Sequence, residues 1–174
     1  MQRLICFLPY TPRADSASRG YEKWLQDVDN PFFNSRPAVA HYTNWRVAGG
    51  ATEAFPYTHF DFLLIASGKT PEDVWTDGPL AEFAANWVKL WGVAPDGDPA
   101  LNYQCSVAEY VSGEAGTFSP LVEVSMDLSS PGEQWRITQN VVGQAPAAGF
   151  TRRFVSGSGA NRSTIVGELV AAPE

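Results

Sequence analysis

The chain is short of charge, and shorter still of the residues that usually hold metals. Only 18% of its 174 residues are charged, below the roughly 25% of ordinary soluble domains. Cations are the scarcer sign: 12 Lys and Arg stand against 19 Asp and Glu, a net charge of −7. That is opposite to the basic footprint of a nucleic-acid binder, so DNA and RNA are not expected partners. There are 2 cysteines and 2 histidines. Cys6 and Cys105 lie far apart with no C-x-x-C or Cys/His spacing, which excludes a zinc module and a disulfide framework and predicts two reduced, buried thiols. No stretch approaches ~18 consecutive apolar residues, and the apolar run in residues 1–9 is too short for a signal peptide. A cytoplasmic protein with no membrane partner is expected. Without a secretory signal, Asn161-Arg162-Ser163 has no meaning as a glycosylation acceptor. No P-loop, G-x-G-x-x-G, H-E-x-x-H or G-x-S-x-G occurs, so nucleotide cofactors, zincin chemistry and a hydrolase triad lack support, and no cofactor is expected.

What is present is apolar and aromatic. Hydrophobic residues make up 44% and aromatics 13%, with 6 Trp, 6 Tyr and 10 Phe; this excludes disorder and suits a domain that lines a pocket as well as a core. Residues 3–10 read as a strand. Asp15-Ser16 offers a cap for a helix with Tyr21, Trp24, Leu25 and Val28 on one face, and Asp29-Asn30-Pro31 is expected to stop it. Residues 38–47 and 57–65 read as an antiparallel hairpin around Gly49-Gly50 and Pro56. Thr70-Pro71-Glu72-Asp73 is a helix start, with a restart at Thr76-Asp77. Leu80, Phe83, Ala84, Trp87, Val88 and Trp91 then form a helical stripe ending at Gly92. After a turn at Pro95-Asp96-Gly97-Asp98-Pro99, residues 102–111 give a fourth strand.

The first 114 residues thus read β-α-β-β-α-β, a ferredoxin-like α+β plan. Residues 115–174 read as a partial second β-α-β-β unit completing a barrel. Glu22-Lys23-Trp24 recurs as Glu133-Gln134-Trp135, and Tyr42 to Gly49 recurs as Phe150 to Gly157. The second unit would hold a strand at 121–128, a helix at 131–142 and a hairpin of 150–155 with 164–170, turning at Gly157-Ser158-Gly159.

Tyr21-Glu22-Lys23-Trp24, followed by Asp27 and Asp29, Pro31 and Pro37-Ala38-Val39-Ala40-His41-Tyr42, resembles the REDY-like (HapK-like) branch of the dimeric α+β-barrel superfamily, over residues 3–112. The long C-terminal extension departs from that branch. The resemblance implies a barrel of two sheets, from a homodimer or a tandem copy, and the company of EthD-like proteins, muconolactone isomerases, aromatic polyketide cyclases and cofactor-free monooxygenases. Several of these act on small conjugated or aromatic acids.

Within this frame His59 and Asp61, two apart on a strand, share a face. They are expected to point into the barrel while Phe60, Phe62 and Leu64 meet the helices, with His59 as the proton shuttle and Asp61 tuning it. Depending on hairpin register, either Tyr42, Asn44 and Arg46 or His41, Thr43 and Trp45 lie beside them; the first set is preferred. In the second register His41, His59 and Asp61 converge like a two-His-one-carboxylate metal site, though no local spacing supports one. Arg152 or Arg153 would fork a substrate carboxylate, only one of them facing the pocket, unless both serve in cross-strand ion pairs. Trp45 would stack on a planar ligand, and Tyr10, Tyr57 and Tyr103 could supply hydroxyls. The expected function is a cofactor-independent isomerase moving a proton on a small planar conjugated acid. A polyketide cyclase, a cofactor-free monooxygenase and a non-catalytic binding protein are the alternatives, and a homodimer remains open.

Overall fold

The structure is a computed structural model describing residues 2–98, 101, 103–157 and 164–173. The Asn161-Arg162-Ser163 sequon, Ser158-Gly159 of the expected turn, Pro99 and Asn102 lie outside the described residues. Eight strands form one closed antiparallel barrel: β1 (Leu4–Tyr10), β2 (Val39–Val47), β3 (His59–Ile65), β4 (Cys105–Ser112), β5 (Leu121–Ser125), β6 (Glu133–Val142), β7 (Gly149–Val155) and β8 (Thr164–Ala171). Around the barrel they run β1-β3-β2-β8-β5-β7-β6-β4. The helices are α1 (Tyr21–Trp24), α2 (Asn30–Asn34), α3 (Pro71–Trp75) and α4 (Gly78–Trp91), with a wide π turn at Leu25–Asp29 joining α1 to α2. Among the described residues, no helix is long and apolar enough to cross a membrane.

This corrects the expected ferredoxin-like α+β fold of dimeric α+β-barrel type. The protein is mostly β, and the sheet closes on itself within one chain. The sheet face that residues 115–174 or a twin subunit were expected to cover is enclosed by the chain's own strands. Ile5, Phe7, Trp45, Phe60, Phe62, Val122, Val124, Trp135 and Phe150 fill the interior, with Phe7 centred 4.9 Å from Phe150 and 5.4 Å from Phe62. Each fully buried ring contributes on the order of 2–3 kcal/mol by leaving water. Gly167 makes room for this packing, since a Cβ there would lie 2.5 Å from Phe60 Cζ and 2.9 Å from Val122 Cγ1.

The helix expected at 131–142 is strand β6, because its β-branched Ile137, Thr138, Val141 and Val142 suit a pleated surface and β4 presents an edge for it, pairing Glu109 with Arg136 and Tyr110 with Trp135. Nor does the Phe150–Val155 segment copy β2: it lies between β5 and β6, as β3 lies between β1 and β2. Pro31 does not stop the first helix. It sits at the start of α2, after a π turn in which Asn30 N–H reaches back to Leu25 O; a proline early in a helical segment has no N–H to waste. The helix begins at Tyr21 after Gly20, not at an Asp15-Ser16 cap. The start at Thr70 is a capping box with Asp73, followed by Pro71.

Candidate functional site: a buried acid pair under helix α4

The hairpin takes the preferred register: Asn44 pairs with Asp61 and Arg46 with His59. Its faces are reversed from expectation. Phe60 and Phe62 enter the barrel, while Leu63 belongs to the cluster under the helices and His59 stacks on Tyr10 at 5.5 Å. The closed barrel has a narrow interior that large apolar rings fill completely, so the polar row of β3 turns outward.

Helical residues bring the missing partner. The π turn leaves Val28 41% exposed and turns Asp29 and Asn30 inward, each 3% exposed. Asp29 and Asp61 then share Tyr42, whose Oη lies 3.0 Å from Asp29 Oδ2 and 2.7 Å from Asp61 Oδ2. Asn44 Nδ2 donates to Asp29 Oδ2 at 2.9 Å and Asp61 Oδ1 at 3.0 Å. Asn44 Oδ1 accepts from Asn30 Nδ2 at 3.0 Å, and Asn30 Nδ2 also reaches Tyr42 O at 3.0 Å. Asn34 completes the tie, its Oδ1 accepting Tyr42 N–H at 2.8 Å. This amide ladder clamps the helical segment to β2 and fixes the acids.

Two O···O contacts meet at Tyr42 Oη; a phenol carries one hydrogen, so a proton on either carboxyl group strengthens the cluster. Burial without a cation pushes both acids up: Asp29 to about 7, and Asp61 well above the usual carboxylate range, with the charge of Asp29 adding to the burial. Asp29 Oδ1 makes no hydrogen bond to any described residue.

The pair forms the floor of a cavity of about 180 Å³ between α4 and the outer face of the sheet. Leu80, Phe83, Ala84 and Trp87 of α4 form its roof, and Leu8, Phe33, Cys105 and Val142 its walls; Tyr10, Tyr42, Asp29 and Asp61 also open onto it. Among the described residues, no Lys or Arg lines it. Trp75, another lining residue, keeps its indole N–H buried without an acceptor among the described residues. Cys6 and Cys105 are free and buried, and burial pushes the Cys105 thiol up, so it stays neutral.

Of the residues read from the sequence, Tyr42, Asn44 and Asp61 come together here. His59 is adjacent but not joined to Asp61: its Nδ1 meets Thr58 Oγ1 at 2.9 Å, and its Nε2 has no hydrogen-bond partner among the described residues, Glu22 Oε1 lying 3.8 Å away. Burial depresses its pKa to about 4, which keeps it neutral. Arg46 lies on the surface between Glu22 and Glu168. Trp45 is barrel core and donates to Thr43 Oγ1 at 2.9 Å. His41 packs against Phe118, its pKa lowered by burial and then by the charge of Arg152. Arg152 stands inside one barrel end, paired with Glu133 at 2.8 Å, and Arg153 outside, paired with Glu123 at 2.5 Å.

The chain matches no family model, no curated protein and no solved structure.

Asp29 is the member of this buried cluster that pattern reading passed over as a site residue. Its signal is an acid at i+4 from Leu25 and i+8 from Tyr21, on the face whose other members are apolar.

Proposed function

We propose that the protein is an isomerase that shifts a double bond by proton transfer in a small, neutral, conjugated carbonyl compound held under α4. The observation that carries this reading is the acid pair sharing one phenol at the floor of an apolar cavity. A general base works best with a pKa near the operating pH, and Asp29 has one. Its free Oδ1 would take the C–H proton beside the carbonyl and return it further along the conjugated system. Asp61 keeps its proton, and a carboxylic acid held neutral can stabilise a developing enolate oxygen by donating to it, directly or through Tyr42. The unpartnered Trp75 N–H offers a donor for a substrate oxygen.

Neutrality follows from the walls. A carboxylate placed here would meet no cation and two acids, at a steep desolvation cost. The arginines expected to hold a substrate acid lie elsewhere, which moves the substrate class from conjugated acids to ketones and lactones. Size follows from volume: cavities of about 150 Å³ take benzene, so a single ring or a short dienone fits. The proton-transfer chemistry agrees with what the resemblance of residues 21–42 implies for cofactor-free enzymes.

The test is an ultraviolet absorbance screen of the purified protein against conjugated enones, unsaturated lactones and the matching carboxylic acids, repeated with Asp29→Asn. A spectral shift with neutral compounds that disappears in the variant is expected. Saturable binding with no spectral change makes the protein a carrier, and turnover confined to the acids overturns the substrate class.

A further inference from the structure

A second site lies at the barrel end that holds Arg152, away from the acid pair. Glu133 is 3% exposed and accepts from three donors: Arg3 Nη2 at 2.6 Å, Arg152 Nε at 2.8 Å and Trp135 Nε1 at 3.0 Å. Two guanidinium groups thus flank one carboxylate, leaving one positive charge uncompensated. Arg152 lies among aromatic rings, its guanidinium carbon 5.0 Å from the Phe62 centroid, 5.5 Å from Phe154 and 5.6 Å from Trp135. Its Nε is taken, and its two terminal nitrogens make no hydrogen bond to any described residue. Arg3 stacks on Tyr110 at 4.7 Å.

These groups open into a cleft of about 600 Å³, walled by Tyr110 and by the loop from Gly113 to Thr117. The loop is held in place. Tyr110 Oη donates to Gly113 O at 2.8 Å, Phe154 N–H to Ala115 O at 2.7 Å, and Gly113 has φ +84° with no room for a Cβ, which would fall 2.0 Å from Gly132 O. Glu114, also on the wall, is exposed to solvent, so water screens its charge.

Arg152 already meets Glu133 through its Nε, but its terminal nitrogens stay open, and the planar guanidinium edge matches the two oxygens of a carboxylate. Glu133 already supplies one negative charge between the two guanidinium groups, so a single further negative charge suits the site better than a dianion. We propose that this barrel mouth binds a small aromatic monocarboxylate, its oxygens on the terminal nitrogens of Arg152 and on Arg3, and its ring against Tyr110. This site is independent of the proposed isomerase cavity, whose walls carry no cation.

The experiment is calorimetric titration of the full chain with benzoate, with benzamide as the neutral isostere and with inorganic phosphate, followed by Arg152→Met, Arg3→Gln and Asp61→Asn. Saturable benzoate binding is expected, with benzamide and phosphate at least about tenfold weaker and both arginine variants weakened by about tenfold or more, the loss that removal of a charge-assisted contact brings. Asp61→Asn should bind benzoate like the wild type, which separates this site from the acid pair. Arg152→Met leaves Glu133 paired with Arg3, and should it fail to fold, the half-exposed Arg3 still supplies the decisive variant. Equal binding of benzamide, tighter binding of phosphate, or benzoate binding untouched by Arg3→Gln would overturn the proposal.

Discussion

Asp29 and Asp61 meet at one phenol, Tyr42 Oη lying 3.0 Å from the first and 2.7 Å from the second. The phenol has a single hydrogen to share between two buried carboxyl groups, and burial raises the pKa of both, so the arrangement favours a proton on the pair, and most of what can be measured follows from that proton.

Stability should carry its signature. Unfolded aspartates ionise near 3.9, whereas Asp29 holds its proton to about 7 and burial raises Asp61 well above the usual carboxylate range. The native state then binds more protons than the unfolded one, and stability falls as pH rises from about 4 through about 7. His59 acts oppositely: with a folded pKa of about 4 against about 6.5 unfolded, it makes stability rise with pH across that interval. Asp61→Asn removes a falling contribution and leaves the rising one. Urea midpoints at about pH 4.5, 6 and 7.5 should show the variant gaining on the wild type as pH increases; a constant difference would refute the buried proton.

For turnover, Asp29→Asn should cost on the order of 10²-fold or more, the loss expected for a general base. Tyr42→Phe should also slow the reaction, since it removes the bridge between the acids. His59→Gln should keep turnover within a few-fold, because His59 bonds Thr58 and not Asp61. A His59 variant as damaged as Asp29→Asn would return the catalytic role to the histidine.

Neighbouring arginines should differ sharply. Arg153 pairs with Glu123 at the surface, and Arg153→Ala should change stability by less than about 1 kcal/mol. Glu133→Ala strands Arg152 among aromatic rings and leaves Trp135 N–H without its acceptor, and should cost about 3–5 kcal/mol. Chemical denaturation of both variants checks the contrast, and equal losses would contradict the buried triad.

Gly167→Val should be destabilising by about 1–3 kcal/mol, as overpacking usually is, because its Cβ would lie 2.5 Å from a Phe60 ring atom. A thermal melt unchanged from the wild type would place Phe60 elsewhere.

Strand β1, the β2–β3 hairpin, the capping box at Thr70 and the stripe of α4 are all legible in the sequence, since each is set by local alternation, turn residues or capping, whereas the same signals leave the hairpin register open between two choices. Strand β6 is not. Its Pro131 start and its likeness to Glu22-Lys23-Trp24 read as helix, and what decides against helix is the edge of β4, far away in the chain. The facing of β3 is also beyond local reading, because Phe60 and Phe62 on one side and His59 and Asp61 on the other alternate identically whichever side is the interior. Asp29 stayed hidden because Asp29-Asn30-Pro31 reads as a helix stop, whereas a π turn carries the helical path on through Pro31, burying Asp29 and exposing Val28.

Barrel closure has a consequence for synthesis. Strand β8 joins β2 to β5, so a chain emerging from the ribosome carries two unpaired strand borders until the residues of Thr164–Ala171 have followed. One of those borders is β2, with Tyr42 and Trp45 on it. Backbone groups left open in this way recruit other strands. The nascent protein must therefore spend its time before β8 arrives exposed to wrong partners, and a truncation that removes β8 should yield an aggregate and not a smaller folded unit.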